Sequence, residues 1–208
     1  MNGSKSPVPV SSIEFDKIYR VMDKRISLGY SAIELSFLLG YRLQYVRDVE
    51  NPEKTLRYTT KDTNYLMNIF DCKLPELMSG KIDEPFYQIT FKVSKYAGGI
   101  TYRIFLDSLQ EQQLLFREFT TGAEDTITAN TTEITELTQF LNSLFHNDYF
   151  SVPKTALEIF KLCKLEVGNL IKPHSLFTAL KTFTFRKMLP KLIQEKNESG
   201  RILYKREG

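Results

Sequence analysis

Eight basic side chains crowd residues 181–208: Lys181, Arg186, Lys187, Lys191, Lys196, Arg201, Lys205 and Arg206, against only Glu195, Glu198 and Glu207. Cations at this density neutralise phosphates and release condensed counterions, so the chemistry they offer is nucleic-acid binding rather than bond making. The sets that make or break bonds are missing. No HExxH, GxSxG, GxGxxG or Walker sequence occurs. His146 and His174 lie far apart, with only Asp148 near either, and no second donor follows at metal-ligand spacing. Gly98-Gly99 lacks the Lys-Ser/Thr that follows a phosphate loop and reads as a hairpin turn. Glu124 and Asp125 are adjacent in a turn-like stretch and are expected to point apart rather than to act as an acid/base couple. The expectation is no catalytic residue, no metal, no cofactor and no enzyme activity.

Those cations need elements to position them, and the chain is long enough to supply them. Its 208 residues are 42% hydrophobic and 25% charged, with a net charge of +3. That composition excludes a disordered chain, a collagen-like fibre and a disulfide scaffold. The 2 cysteines, Cys72 and Cys163, lack any CxxC spacing and read as buried thiols in a reducing cytoplasm. No apolar run approaches the roughly 20 residues that span a bilayer, and Met1–Val10 lacks the apolar core of a signal peptide. The expectation is therefore a cytoplasmic protein with no membrane partner. Charge is unevenly spread: 12 basic against 10 acidic residues in 1–82, 4 against 7 in 83–129, and 12 against 8 in 130–208.

The pattern predicts an α+β fold in successive modules. Residues 1–10, rich in Pro, Ser and Gly, read as a disordered tail. Residues 11–82 read as an all-α domain of five helices. Ser11…Glu14 and Ser31…Glu34 fit capping boxes, and Gly29 and Gly40 sit where helices stop. A helix over 42–50 turns Val46 and Val49 inward, one from about Thr60 to Cys72 uses Leu66, Ile69 and Phe70, and Pro75 opens a fifth turn. The period then changes from 3.6 to 2. Tyr87, Ile89, Phe91 and Val93 alternate with polar residues, as do Ile100, Tyr102, Ile104 and Leu106, predicting a hairpin across Ala97-Gly98-Gly99. With a third strand near Leu114–Thr120 this gives an antiparallel meander over 83–129. Such a sheet needs a helix to pack on, and the amphipathic stretch from Thr132 is the expected partner. Residues 130–208 return to helices. One starts at Pro153. Another runs from Pro173 to about Leu189 with Leu176, Leu180, Phe183 and Met188 inward. A strand pair follows across Asn197–Gly200. Helix, helix, then basic hairpin is the order of a winged helix.

The first flank carries a resemblance. Gly29-Tyr30-Ser31, Glu34-Leu35, Leu39-Gly40-Tyr41, Val46 and Val49-Glu50-Asn51, followed by Leu66…Ile69-Phe70 and Leu74-Pro75-Glu76-Leu77, resemble the Cro/C1 (XRE-type) helix-turn-helix family over about a third of the chain. The resemblance implies a recognition helix whose first residues enter the major groove of double-stranded DNA, and binding as a two-fold homodimer. By family position those residues are Arg42, Leu43 and Gln44, with Arg47 and Asp48 one turn on. Gln44 matches the adenine N6/N7 edge, Leu43 a thymine methyl, and Arg42 and Arg47 phosphates or guanine. Asp48 departs from the family's neutral or basic residue, Ala32 from its phosphate-contacting glutamine, and Pro52 from its glycine.

In the winged-helix reading, Lys181 and Lys187 lie on the groove helix and Arg201 on the wing. The expected function is a sequence-specific DNA-binding transcriptional regulator. The alternative is a protein-interaction or antitoxin-like module that keeps the helix-turn-helix only as scaffold, with Leu43 and Tyr45 exposed. No small-molecule effector is readable.

Overall fold

The structure, a computed structural model, describes residues 7–80, 82, 84–96, 99–106, 113–118 and 131–208. The turn residues Ala97 and Gly98, the Glu124-Asp125 pair and the first part of the expected tail lie outside them. In chain order the elements are β1 (Val8–Ser11), α1 (Ser12–Ser27), α2 (Ala32–Leu38), α3 (Tyr45–Glu50), α4 (Thr60–Phe70), α5 (Leu74–Leu77), β2 (Phe86–Tyr96), β3 (Gly99–Leu106), β4 (Gln113–Glu118), α6 (Thr131–His146), β5 (Lys154–Thr155), α7 (Ala156–Glu166), α8 (Pro173–Thr184), β6 (Lys191–Lys196) and β7 (Ile202–Glu207). The fold is mixed α+β, with eight α-helices and two small antiparallel sheets among the described residues. None of those helices is long and apolar enough to cross a membrane.

The chain divides into two compact units, and the division is not the expected one. The first holds residues 1–32 and 44–126; the second holds 33–43 and 127–208. The stretch read as one helix-turn-helix is thereby shared. All of α2 but its first residue, and the turn after it, belong to the second unit, and α3 to the first.

The first unit is α+β, since it joins α1, α3, α4 and α5 to the four-stranded sheet. Val8–Ser11 is not a tail: it pairs antiparallel with β2, Val8 opposite Ile89 and Ser11 opposite Phe86, making a sheet of order β1-β2-β3-β4. Ser11 pairs in that strand and forms no side-chain cap on α1. Ser12 anchors the helix start instead, its N–H donating to Pro85 O at 3.1 Å and its hydroxyl to Glu84 O. The expected hairpin pairs β2 with β3, Ile89 opposite Leu106 and Tyr96 opposite Gly99, so that Gly99 is the first residue of β3 and not part of the turn. Val93 differs: it lies on the exposed end of β2.

The sheet packs on α1, not on the helix near Thr132. Phe15, Met22 and the partly buried Tyr19 and Ile26 join Val10, Ile89, Phe91, Ile100, Tyr102, Ile104 and Leu106 in one core. These four α1 residues repeat at i, i+4, i+7 and i+11, a second apolar stripe beside Ile18 and Val21. Helix α1 therefore has two buried faces. The glycine after it takes φ +72°, and the N–H groups of Gly29 and Tyr30 return to Ile26 O and Arg25 O, both at 2.9 Å. That is the Schellman closure that only a residue free of Cβ strain makes readily.

In the second unit α6 lies against α8, with Phe145 and Phe183 ring centroids 5.8 Å apart. The sheet order is β5-β7-β6. Thr155 caps α7 through a capping box with Glu158. Helix α8 ends at Thr184, so Met188 and Leu189 are not inward helix residues; both are largely exposed.

Candidate nucleic-acid interface

Helix α3 spans six residues, three fewer than predicted. Arg42 and Leu43 precede it, and Gln44 is its exposed N-cap. Arg42 and Leu43 thus belong to the second unit, while Gln44, Arg47 and Asp48 belong to the first. Val46 and Val49 are fully buried and orient α3, leaving Arg47 and Asp48 half-exposed. The Arg47 Nε is buried without a hydrogen-bond partner. Tyr45 is not a surface residue: its hydroxyl donates to Asp62 Oδ2 at 3.0 Å, and it is 7% exposed.

Beneath α3 lies a network that fixes it. Arg25 Nε and Nη2 donate to Glu50 Oε1 and Oε2, both at 2.8 Å, and Arg25 Nη1 donates to Tyr30 O at 2.9 Å. Lys17 Nζ donates to Tyr58 O, Thr59 O and Thr63 Oγ1. Burial draws its pKa below the ordinary lysine value, against the pull of Asp62 and Glu14.

In the second unit the basic cluster of residues 181–208 is largely spoken for. Arg201 is not a wing contact. It is 2% exposed, its Nη1 donates to Leu39 O at the end of α2, and its guanidinium lies 4.7 Å from the Tyr41 ring centre. The reason is local. Leu39 O is among the carbonyls a helix end leaves unpaired, and a cation there also meets the negative end of the helix dipole. Gly40, at φ +75°, brings that turn close, so that Ile202 N–H donates to Gly40 O at 2.6 Å. Lys191 pairs with Glu207 at 3.0 Å, Lys205 with Glu195 at 3.9 Å, and Arg206 with Asp148 at 2.9 Å. Arg186 stacks on Phe183, its Cζ 4.3 Å from the ring centre.

What remains outward is narrower. Lys187 lies past the end of α8, in the segment leading to β6, and not on the groove helix. Lys181 is on α8 and exposed, its Nζ 4.3 Å above the Phe177 ring. Thr178 shares its face at i−3, and the exposed Thr182 follows it in the chain. Those threonines are absent from the sequence reading, although the polar phase between Leu176, Leu180 and Phe183 marks them. Lys196 is exposed at the end of β6, beside the turn closed by Gly200 N–H to Asn197 O at 2.8 Å.

A cavity of about 510 Å³ opens within this unit between the α2 turn, α8 and the β6–β7 hairpin. Phe37 and Phe177 meet edge-on in its wall, 5.3 Å apart. Among the described residues no group of three or more His, Cys, Asp and Glu side chains converges on a metal position.

No family model, no curated protein and no solved structure matches this chain. The functional reading therefore rests on sequence pattern and geometry.

Proposed function

We propose that residues 131–208 form a winged helix and that the protein is a double-stranded DNA-binding transcriptional regulator, with α8 as its groove helix. The observation that carries this reading is the order α6, β5, α7, α8, β6, β7 with sheet order β5-β7-β6, in which α8 feeds directly into the hairpin. Its outward face is polar and cationic through Thr178, Lys181 and Thr182, and Lys196 stands at the hairpin turn. A helix of this kind fits a major groove about 12 Å wide while the hairpin crosses the backbone. The Cro/C1 resemblance further supports DNA contacts by Gln44, Arg47 and Asp48 in the first unit and, separately, by Arg42 and Leu43 in the second. That resemblance also supports a homodimer on near-palindromic sites.

The test is an anisotropy titration against a pooled random-sequence duplex at several salt concentrations. Binding should weaken steeply with salt, and Lys181→Ala and Lys196→Ala should each flatten the log–log slope by about 1. No enrichment of any sequence at low salt would overturn the reading.

A second reading has its own support. Phe185, Met188 and Leu189 are 76%, 80% and 61% exposed in one short segment, and three neighbouring cations are paired with carboxylates. A protein-interaction module explains both. Retained binding of a protein partner by a variant that no longer binds DNA would favour it.

A further inference from the structure

We propose that the cavity between the α2 turn, α8 and the β6–β7 hairpin is a binding site for a small organic anion with an aromatic body. Its volume, about 510 Å³, lies within the range of small-molecule sites, and three elements enclose it. The walls are aromatic. Phe37 and Phe177 present edge and face at 5.3 Å, and Phe185 adds an exposed ring at the mouth. Aromatic bodies find offset or edge-on partners in such a wall.

The charge at the rim is positive. Lys181, Lys191 and Arg42 all line the cavity, and no carboxylate does. Lys191 is engaged by Glu207. Lys181 has no ion-pair partner among the described residues and rests its ammonium on the Phe177 face instead. An ammonium held over a ring beside an apolar hollow is poised to meet an anion whose body fills the hollow. Two further polar groups, the Thr184 hydroxyl and the Gln194 amide, line the same space and supply orientation. Carboxylates and sulfonates share the chemistry required: a planar or tetrahedral anionic oxygen group on an apolar ring system.

The site does not depend on the DNA-binding reading, and its test contains no DNA. The probe is 1-anilinonaphthalene-8-sulfonate, followed by fluorescence on the full chain, with the uncharged N-phenyl-1-naphthylamine as comparison. The expected result is saturable one-to-one binding. Lys181→Gln should weaken the sulfonate about tenfold, a loss of about 1.4 kcal/mol, and leave the uncharged probe unchanged. Thr184→Trp, which fills the cavity, should abolish both. A ¹H–¹⁵N spectrum of the unaltered protein guards against a variant that fails to fold. Sulfonate addition should shift the Lys181, Thr184 and Gln194 amides while those of the first unit stay still. The proposal is overturned by absent binding, by shifts that fall elsewhere, or by equal loss of the charged and uncharged probes in Lys181→Gln.

Discussion

Arg25 and Glu50 face each other through two parallel hydrogen bonds of 2.8 Å, with side-chain exposures of 0% and 1%. The pair joins the last turn of α1 to the end of α3, so the helix that carries Gln44, Arg47 and Asp48 is fixed by a charge it cannot afford to lose singly.

Removing one partner leaves the other buried and uncompensated. Arg25→Met or Glu50→Gln should each destabilise the protein by about 3–5 kcal/mol in urea unfolding. The double variant Arg25→Met/Glu50→Leu should lose far less than the two single losses together, because no charge then remains buried. Simple additivity of the two single effects would show that the pair is not coupled.

Arg201 separates structure from DNA contact. Arg201→Ala deletes a buried charge-assisted hydrogen bond to Leu39 O and should lower stability by about 2–3 kcal/mol. It should leave the salt slope of duplex binding as it is in the unaltered protein. A flattened slope in a folded Arg201→Ala variant would mean that the guanidinium does reach phosphate.

Two glycines with similar dihedrals should respond differently to alanine. Both Gly29 and Gly40 have positive φ, and the left-handed conformation alone costs alanine about 1–2 kcal/mol. A Cβ at Gly29 meets nothing within 4 Å, whereas at Gly40 it lies 3.3 Å from both Arg201 Cβ and Ile202 O. Gly40→Ala should therefore be the more destabilising of the two by thermal melt, and an equal effect would argue against that close approach.

Buried Tyr204 gives the second unit an alkaline limit. Burial pushes its hydroxyl up to about 12, against a smaller opposing effect of a hydrogen bond with Gln194. A folded-state pKa above the unfolded value of about 10 contributes stability that is complete below pH 10 and lost as the pH rises towards 12. The slope cannot exceed about 1.4 kcal/mol per pH unit for one group. Tyr204→Phe should remove that part of the slope and the matching late phase of phenolate absorbance. Tyr149 and the Cys163 thiol, both raised to about 12 chiefly by burial, add to the same slope.

Local pattern made much of this molecule legible. Helical spacing found the inward Val46 and Val49, and glycine placement found where α1 and α2 stop. Alternation found the hairpin of β2 and β3. What escaped it depends on distant partners. Val8 and Val10 alternate, but a four-residue strand holding a proline is recognisable only once β2 lies beside it. Phe15, Tyr19, Met22 and Ile26 form a regular stripe, yet nothing in their spacing says that it meets a sheet some 70 residues later. Arg201 looks like every other cation of the C-terminal segment. Its burial is decided by a carbonyl 162 residues earlier in the chain. The place of Lys181 on α8 was legible, since its exposure follows from the phase of its own helix, and that of Lys187 was not, because helix termination sets the answer.

The second unit takes eleven of its residues, 33–43, from a point far upstream of the rest. On the ribosome those residues emerge more than eighty positions before residue 127, and the first unit's chain must be made in between. Leu39 O and Gly40 O, which receive Arg201 and Ile202, therefore have to wait for their donors. A fragment beginning at residue 127 would lack both acceptors and one wall of the cavity. The C-terminal module is thus not separable by a single cut, and its completion is tied to synthesis of the whole polypeptide.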